Sequence, residues 1–131
     1  VEVEEKKDRI DDAVNATRAA LEEGILPGGG VAYLRAREAV QAGETYGEGI
    51  IYAALAVPFM AICENVAESG TEMLEKLGSN PDVGFNAATL KVENLVDAGV
   101  IDPVKVSRLA LENAASAAGM LLTTKSVVAL K

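Results

Sequence analysis

The sequence predicts an all-α, mostly helical fold, with one short hairpin and a C-terminal strand as its candidate extended segments. Three observations carry that prediction. Apolar residues recur at helical spacing over long stretches, as Ile10, Val14, Thr17 and Leu21 do near the start. Glycine and proline stand at the expected ends of several of these stretches, as at Gly24, Pro58, Gly99 and Pro103. Half of the 131 residues are apolar but only 4% are aromatic, so the core must be built from Ala, Val, Leu and Ile. Small side chains allow helices to approach closely.

Residues 2–23 read as one charged amphipathic helix with Lys7 and Asp11 placed to pair across a turn, and Gly24 as its stop. Ile25-Leu26-Pro27-Gly28-Gly29-Gly30 reads as a loop. A helix is expected over 31–41, with Gly43 breaking it, then a nearly all-apolar helix over 48–57, buried on most sides. Pro58 suits the first turn of the next helix, which is expected to run to about Glu68. A weaker helix is expected over 71–77, and Gly78-Ser79-Asn80-Pro81-Asp82 is dense in turn formers. Val83-Gly84-Phe85-Asn86 reads as a short hairpin strand, 93–98 as a short helix ending at Gly99, and 103–121 as a long helix. The tail, Thr123 to Leu130, is rich in Thr and Val and reads as a strand whose partner lies in another segment or another subunit.

The formal net charge of −8 argues against a nucleic-acid partner, because phosphate backbones are held by clustered Lys and Arg. It does not exclude a small phosphate ligand held by backbone N–H groups. With one cysteine and no histidine, neither an internal disulfide nor a Cys/His zinc site can form. Cys63 stands in the apolar run Phe59-Met60-Ala61-Ile62 and reads as a small core residue, compatible with a reducing cytoplasm. No signal-peptide layout and no apolar run of membrane-spanning length is apparent, so no membrane partner is expected.

Four places carry candidate chemistry. Gly28-Gly29-Gly30 precedes a helix; it is either a plain turn or a backbone contact for a nucleotide. No G-x-x-x-x-G-K-[ST] sequence is present to make it a Walker loop. Asp12 lies about 200° round its helix from Ile10, at about 100° per residue. It is either a solvated charge or a carboxylate offered to a cleft, where it could orient an attacking water. Asp102 before Pro103 is either the N-cap of the long helix or an acceptor for ribose hydroxyls. Asn86-Ala87-Ala88 either starts a helix or presents amide and backbone groups to a base.

Together these segments resemble the group I (GroEL-type) chaperonin family. Ala19-Ala20-Leu21-Glu22-Glu23-Gly24-Ile25-Leu26-Pro27-Gly28-Gly29-Gly30 is similar to the family's A-A-x-E-E-x-x-x-x-G-G-G, and Glu5-Lys6-Lys7-Asp8-Arg9-Ile10-Asp11-Asp12-Ala13 to its E-K-K-x-R-[VI]-[ED]-D-A. Gly84-Phe85-Asn86-Ala87-Ala88-Thr89, Ile101-Asp102-Pro103-Val104-Lys105-Val106, Asn113-Ala114-Ala115-Ser116 and Leu121-Leu122-Thr123-Thr124 follow in the family's order. The segment Glu64 to Leu77 fits poorly, and Leu90 stands where an acid is usual.

The resemblance implies a chaperonin equatorial-domain-like fold, with residues 1–23 as an intermediate-domain helix and 24–131 as the C-terminal half of an equatorial, ATP-binding domain. It implies that Asp12 supports hydrolysis, that Gly29 and Asp102 meet the ribose, and that Asn86, Ala87 and Ala88 form the adenine edge. The cofactors implied are ATP/ADP and Mg²⁺, whose ligand belongs to a G-D-G-T-T loop that this sequence does not contain. The implied parent is a cytoplasmic homo-oligomeric double ring that works with a co-chaperonin on unfolded polypeptides. The piece alone is expected to be inactive as an ATPase and prone to self-association. The competing expectation is a helical interaction or scaffold module that keeps the fold without nucleotide function.

Overall fold

A computed structural model describes residues 1–40 and 45–128. The expected break at Gly43 lies outside the described residues. The chain divides into two compact units, one of residues 1–24 with 103–131 and one of residues 25–102.

The first unit pairs two long helices. Helix α1 (Glu2–Glu23) carries Glu2, Glu4 and Glu5 in its first turn, where negative charge opposes the helix dipole favourably. It stops at Gly24, whose φ of 89° suits glycine and whose N–H donates to the Ala20 carbonyl. Its i,i+4 ion pair joins Glu5 and Arg9 rather than Lys7 and Asp11. Helix α6 (Val104–Thr123) packs against α1, and Val104 N–H donates to the Gly24 carbonyl at 3.1 Å. Arg108 grips Glu23 through two bonds (Nε–Oε2 3.1 Å, Nη2–Oε1 2.6 Å), and Lys105 bonds Glu22. Arg108 holds the Glu23 carboxyl below its ordinary value, chiefly through the hydrogen bond. Ala19 is the one buried residue of α1, and α6 has none. The stripe of Ile10, Val14 and Leu21 is exposed within this unit.

The second unit holds the core. Strand β1 (Ile25–Pro27) pairs with β4 (Ile101–Pro103), so Ile25-Leu26-Pro27 is a strand rather than the expected loop. Helix α2 (Val31–Ala39), α3 (Tyr46–Ala54), α4 (Val57–Asn65) and α5 (Gly70–Lys76) follow, then the antiparallel hairpin of β2 (Val83–Asn86) and β3 (Lys91–Asn94). Val31, Leu34, Phe59, Cys63, Met73, Leu77, Phe85 and Leu95 form the buried cluster between them. Burial raises the Cys63 thiol above its ordinary value, which keeps it protonated and inert.

Thr45 and Glu48 form a reciprocal capping box that starts α3, and Ser69 caps α5 through Glu72 N–H. The expected all-α fold with one hairpin needs correction at several points. Among the described residues the fold is mostly helical but not all-α, since four short strands make two small sheets. The helix expected over 93–98 does not form: Glu93 and Asn94 belong to strand β3, whose backbone groups pair with β2, and 95–99 are a turn. The expected strand from Thr123 to Leu130 does not form among the described residues: Thr123 closes α6, Thr124 bonds back to it through Leu121 and Met120, and 125–128 join no strand, while 129–130 lie outside the described residues. Helix α3 buries none of its residues, with Ile50 and Ile51 about half exposed, so its apolar character is not matched by a covering layer here. The stretch Tyr46–Asn65 is, by length and composition, long and apolar enough to cross a membrane (mean hydropathy 1.5), contrary to expectation. It is interrupted between α3 and α4, however, and α4 places Phe59 and Cys63 in the core.

Candidate functional site

The glycine run is the hinge of the second unit's packing. Gly28 N–H donates to the Val100 carbonyl at 2.9 Å, just ahead of β4. Gly29 (φ 65°) lies against β2, since a Cβ there would stand 3.3 Å from the Phe85 carbonyl oxygen. Gly30 (φ 76°) starts α2 in a left-handed conformation, and a Cβ there would stand 2.8 Å from the Phe59 backbone nitrogen. A side chain is therefore disfavoured by conformation at both positions, and at Gly30 it is blocked by the Phe59 backbone as well. The run joins the end of β2 on one side to the entry of β4 on the other. Gly29, Asn86 and Asp102 thus belong to one framework of adjoining backbone segments.

Asn86 is buried at the end of β2. Its Oδ1 accepts from Ala88 N–H at 3.0 Å, an Asx turn that bends the chain through Ala87 and Ala88. Its Nδ2 donates to Glu93 Oε1 at 2.6 Å, and Thr89 Oγ1 donates to the same oxygen at 2.9 Å. These two bonds, Asn86 first, hold the Glu93 carboxyl below its ordinary value. The loop closes at Leu90, a non-glycine residue with φ 57° and about half exposed. Asn86 thus ends a strand rather than starting a helix, and its amide is already engaged on both sides. Ala88, Thr89 and Leu90 are the exposed residues of the loop.

Asp102 is exposed on β4, and its side chain makes no hydrogen bond or ion pair among the described residues. The N-cap of α6 is Pro103, with no side-chain cap, so the capping role considered for Asp102 is not used. Asp12 belongs to the other unit, on the exposed surface of α1. No three Asp, Glu or Cys side chains converge as a metal-binding group among the described residues.

Glu93 was not legible as part of this site. It stands seven residues from Asn86, and only the β2–β3 register, which sets Gly84 opposite Glu93, brings them together. A separate cleft of about 190 Å³ is lined by Leu34, Arg37, Tyr52 and Leu77, with the Arg37 guanidinium 3.9 Å above the Tyr52 ring. Arg35 beside it is committed to the loop after α5, donating to the Gly78 and Asn80 carbonyls.

Comparison with known proteins gives two findings. The model of the TCP-1/cpn60 chaperonin family matches residues 1–131. The chain is also similar to a group III chaperonin whose crystal structure is in the open state, with 32% identity and a TM-score of 0.75. That match covers 84% of this chain and 25% of the other, so this chain spans about a quarter of that relative's length.

Proposed function

Because this chain belongs to the TCP-1/cpn60 chaperonin family, we propose that it is part of an ATP-dependent protein-folding chaperonin, in which it supplies the nucleoside side of the ATP site. The observation that carries this reading is the glycine run that ties the Asn86 turn to the strand bearing Asp102. The residues suit a nucleoside. Asp102 keeps its carboxylate oxygens free for ribose hydroxyls, and the Gly29 backbone would meet the ligand from the segment that Gly28 ties to Val100. The backbone of Ala87 and Ala88, fixed by the Asn86 turn, would meet the base edge. Asp12, on its separate unit, would accept a hydrogen bond from the attacking water and so support hydrolysis.

Bound ATP would bring the phosphates and the Mg²⁺ that neutralises them. Neither a phosphate loop nor a metal ligand belongs to this chain's proposed residues, and the G-D-G-T-T sequence is absent from it. The chain alone therefore lacks the groups that stabilise phosphoryl transfer. Residues 1–23 would be the intermediate-domain helix and 24–131 the C-terminal half of the equatorial domain. The order of the motifs from Glu5 to Thr124 favours group I within the family. The parent would then be a cytoplasmic double ring acting with a co-chaperonin on unfolded polypeptides.

The second reading is a scaffold module without nucleotide function. The observation in its favour is that the Asn86 amide is spent within the protein, on Ala88 and Glu93. Titration with a fluorescent ADP analogue, with and without Mg²⁺ and with and without an added N-terminal equatorial half, separates the two. Tight binding only in the reconstituted mixture supports the ATP-site reading. No binding by an associated mixture supports the scaffold, and tight Mg²⁺-dependent binding by this chain alone would place the phosphate site within it.

A further inference from the structure

We infer that Glu93 is a positioning residue for nucleotide recognition: its carboxylate fixes the Asn86–Leu90 loop in the shape that meets the base. The inference rests on the ATP-site reading and deepens it. One oxygen of Glu93 receives both Asn86 Nδ2 at 2.6 Å and Thr89 Oγ1 at 2.9 Å, bracketing the loop from both ends. A carboxylate only accepts, so it dictates which way the Asn86 amide faces: NH₂ toward Glu93 and oxygen toward Ala88 N–H. With the amide turned the other way, two acceptor oxygens would face each other and the Asx turn would be lost.

The strand register explains why Glu93 can reach. Its direct cross-strand neighbour is Gly84, where a Cβ would stand 2.4 Å from side-chain atoms of both Leu95 and Val31. With no side chain opposite, the carboxylate leans along the sheet to the diagonal position, which is Asn86. Leu90 completes the loop in a left-handed conformation that leucine adopts at a cost, so the shape must be imposed by its surroundings. The bracket of Glu93, Asn86 and Thr89 supplies that constraint. Glu93 touches neither base nor phosphate in this proposal; it acts through Asn86 and the loop backbone.

The test uses a full-length chaperonin containing these residues, with steady-state ATP and GTP hydrolysis and ADP-analogue binding measured on Glu93→Ala, Glu93→Gln and Thr89→Val. Glutamine keeps a carbonyl acceptor at the same place, so Glu93→Gln is expected to stay within about threefold of wild type. Glu93→Ala is expected to raise KM for ATP about tenfold, leave kcat within about twofold and narrow the preference for ATP over GTP; this is the size of one lost orienting interaction. Thr89→Val, which keeps the strand pairing intact, is expected to show a smaller change in the same direction. A fall in kcat with KM unchanged in Glu93→Ala, or unaltered KM and base preference in both Glu93→Ala and Thr89→Val, overturns the positioning role. Wild-type protein that binds no nucleotide overturns the ATP-site reading, and the positioning role with it.

Discussion

Gly30 and Gly49 show how differently one residue type can be used. Gly30 has φ 76° and sits against the Phe59 backbone, whereas a Cβ at Gly49, inside α3, would meet nothing within 4 Å. Gly30→Ala is expected to lower stability by about 2 kcal/mol or more, through strain and backbone overlap. Gly49→Ala is expected to raise it by about 0.5–1 kcal/mol, because alanine loses less entropy in a helix. Urea denaturation midpoints would check both; equal effects would mean that the tight glycine run does not organise the second unit. At Asp12 the prediction is chemical. In a full-length chaperonin, Asp12→Ala is expected to leave nucleotide binding intact while slowing hydrolysis about 100-fold, the scale of a lost proton-handling group. Unchanged hydrolysis would remove Asp12 from the proposed site.

Each of the two units carries a carboxylate whose charge is stabilised by folding. In the hairpin it is Glu93, held below its ordinary value of 4.5 by Asn86 and Thr89; in the helix pair it is Glu23, held below the same value by Arg108. A carboxyl with a depressed folded value binds protons more readily when unfolded. It therefore contributes stability above the unfolded value and loses that contribution as pH falls through the folded one. Thermal stability is accordingly expected to fall as pH drops from about 5 toward 3, with a smaller fall in Glu93→Gln, which no longer titrates. The Glu23–Arg108 contact is partly exposed, so Arg108→Ala should destabilise the α1–α6 pair less at high salt than at low salt. At Leu90 the conformation favours asparagine over leucine, and Leu90→Asn is expected to gain a few tenths to about 1 kcal/mol while shortening the apolar loop tip. A loss of stability there would show that Leu90 has packing value that outweighs its strain.

Across the whole molecule, apolar surface is uncovered on several elements at once. Ile50 and Ile51 on α3, Ile10 and Leu21 on α1, and Leu121 and Leu122 on α6 are all exposed. Single exposed leucines are ordinary, but extended apolar faces in a chain that spans about a quarter of its structural relative predict association. Sedimentation of the isolated chain is expected to show concentration-dependent self-association that is reduced when an N-terminal equatorial half is added. A monodisperse monomer at high concentration would indicate that these faces are tolerated in water.

Periodicity and punctuation were enough to delimit the two long helices, because helix formation is local: α1 begins and ends where the apolar stripe and Gly24 say it should, and α6 starts just after Pro103. The ordered motifs were likewise enough to indicate the family, since they depend on residue identity and order alone. Strand partners were not legible, because pairing joins residues distant along the chain. Residues 93 and 94 read as the start of a helix until β2 lies beside them, and the tail from Thr123 reads as strand although its described residues join none. Burial was not legible either: α3 is largely apolar yet buries none of its residues, with only Tyr52 half-covered beneath Arg37, because covering surfaces are supplied by other segments. The candidate site divides the same way. The sequence by itself named Gly29, Asn86 and Asp102; only the tertiary structure showed that the glycine run links their strands and that Glu93, seven residues from Asn86, is its hydrogen-bond partner. A hairpin decides such a contact through its register, and register is a property of two strands together.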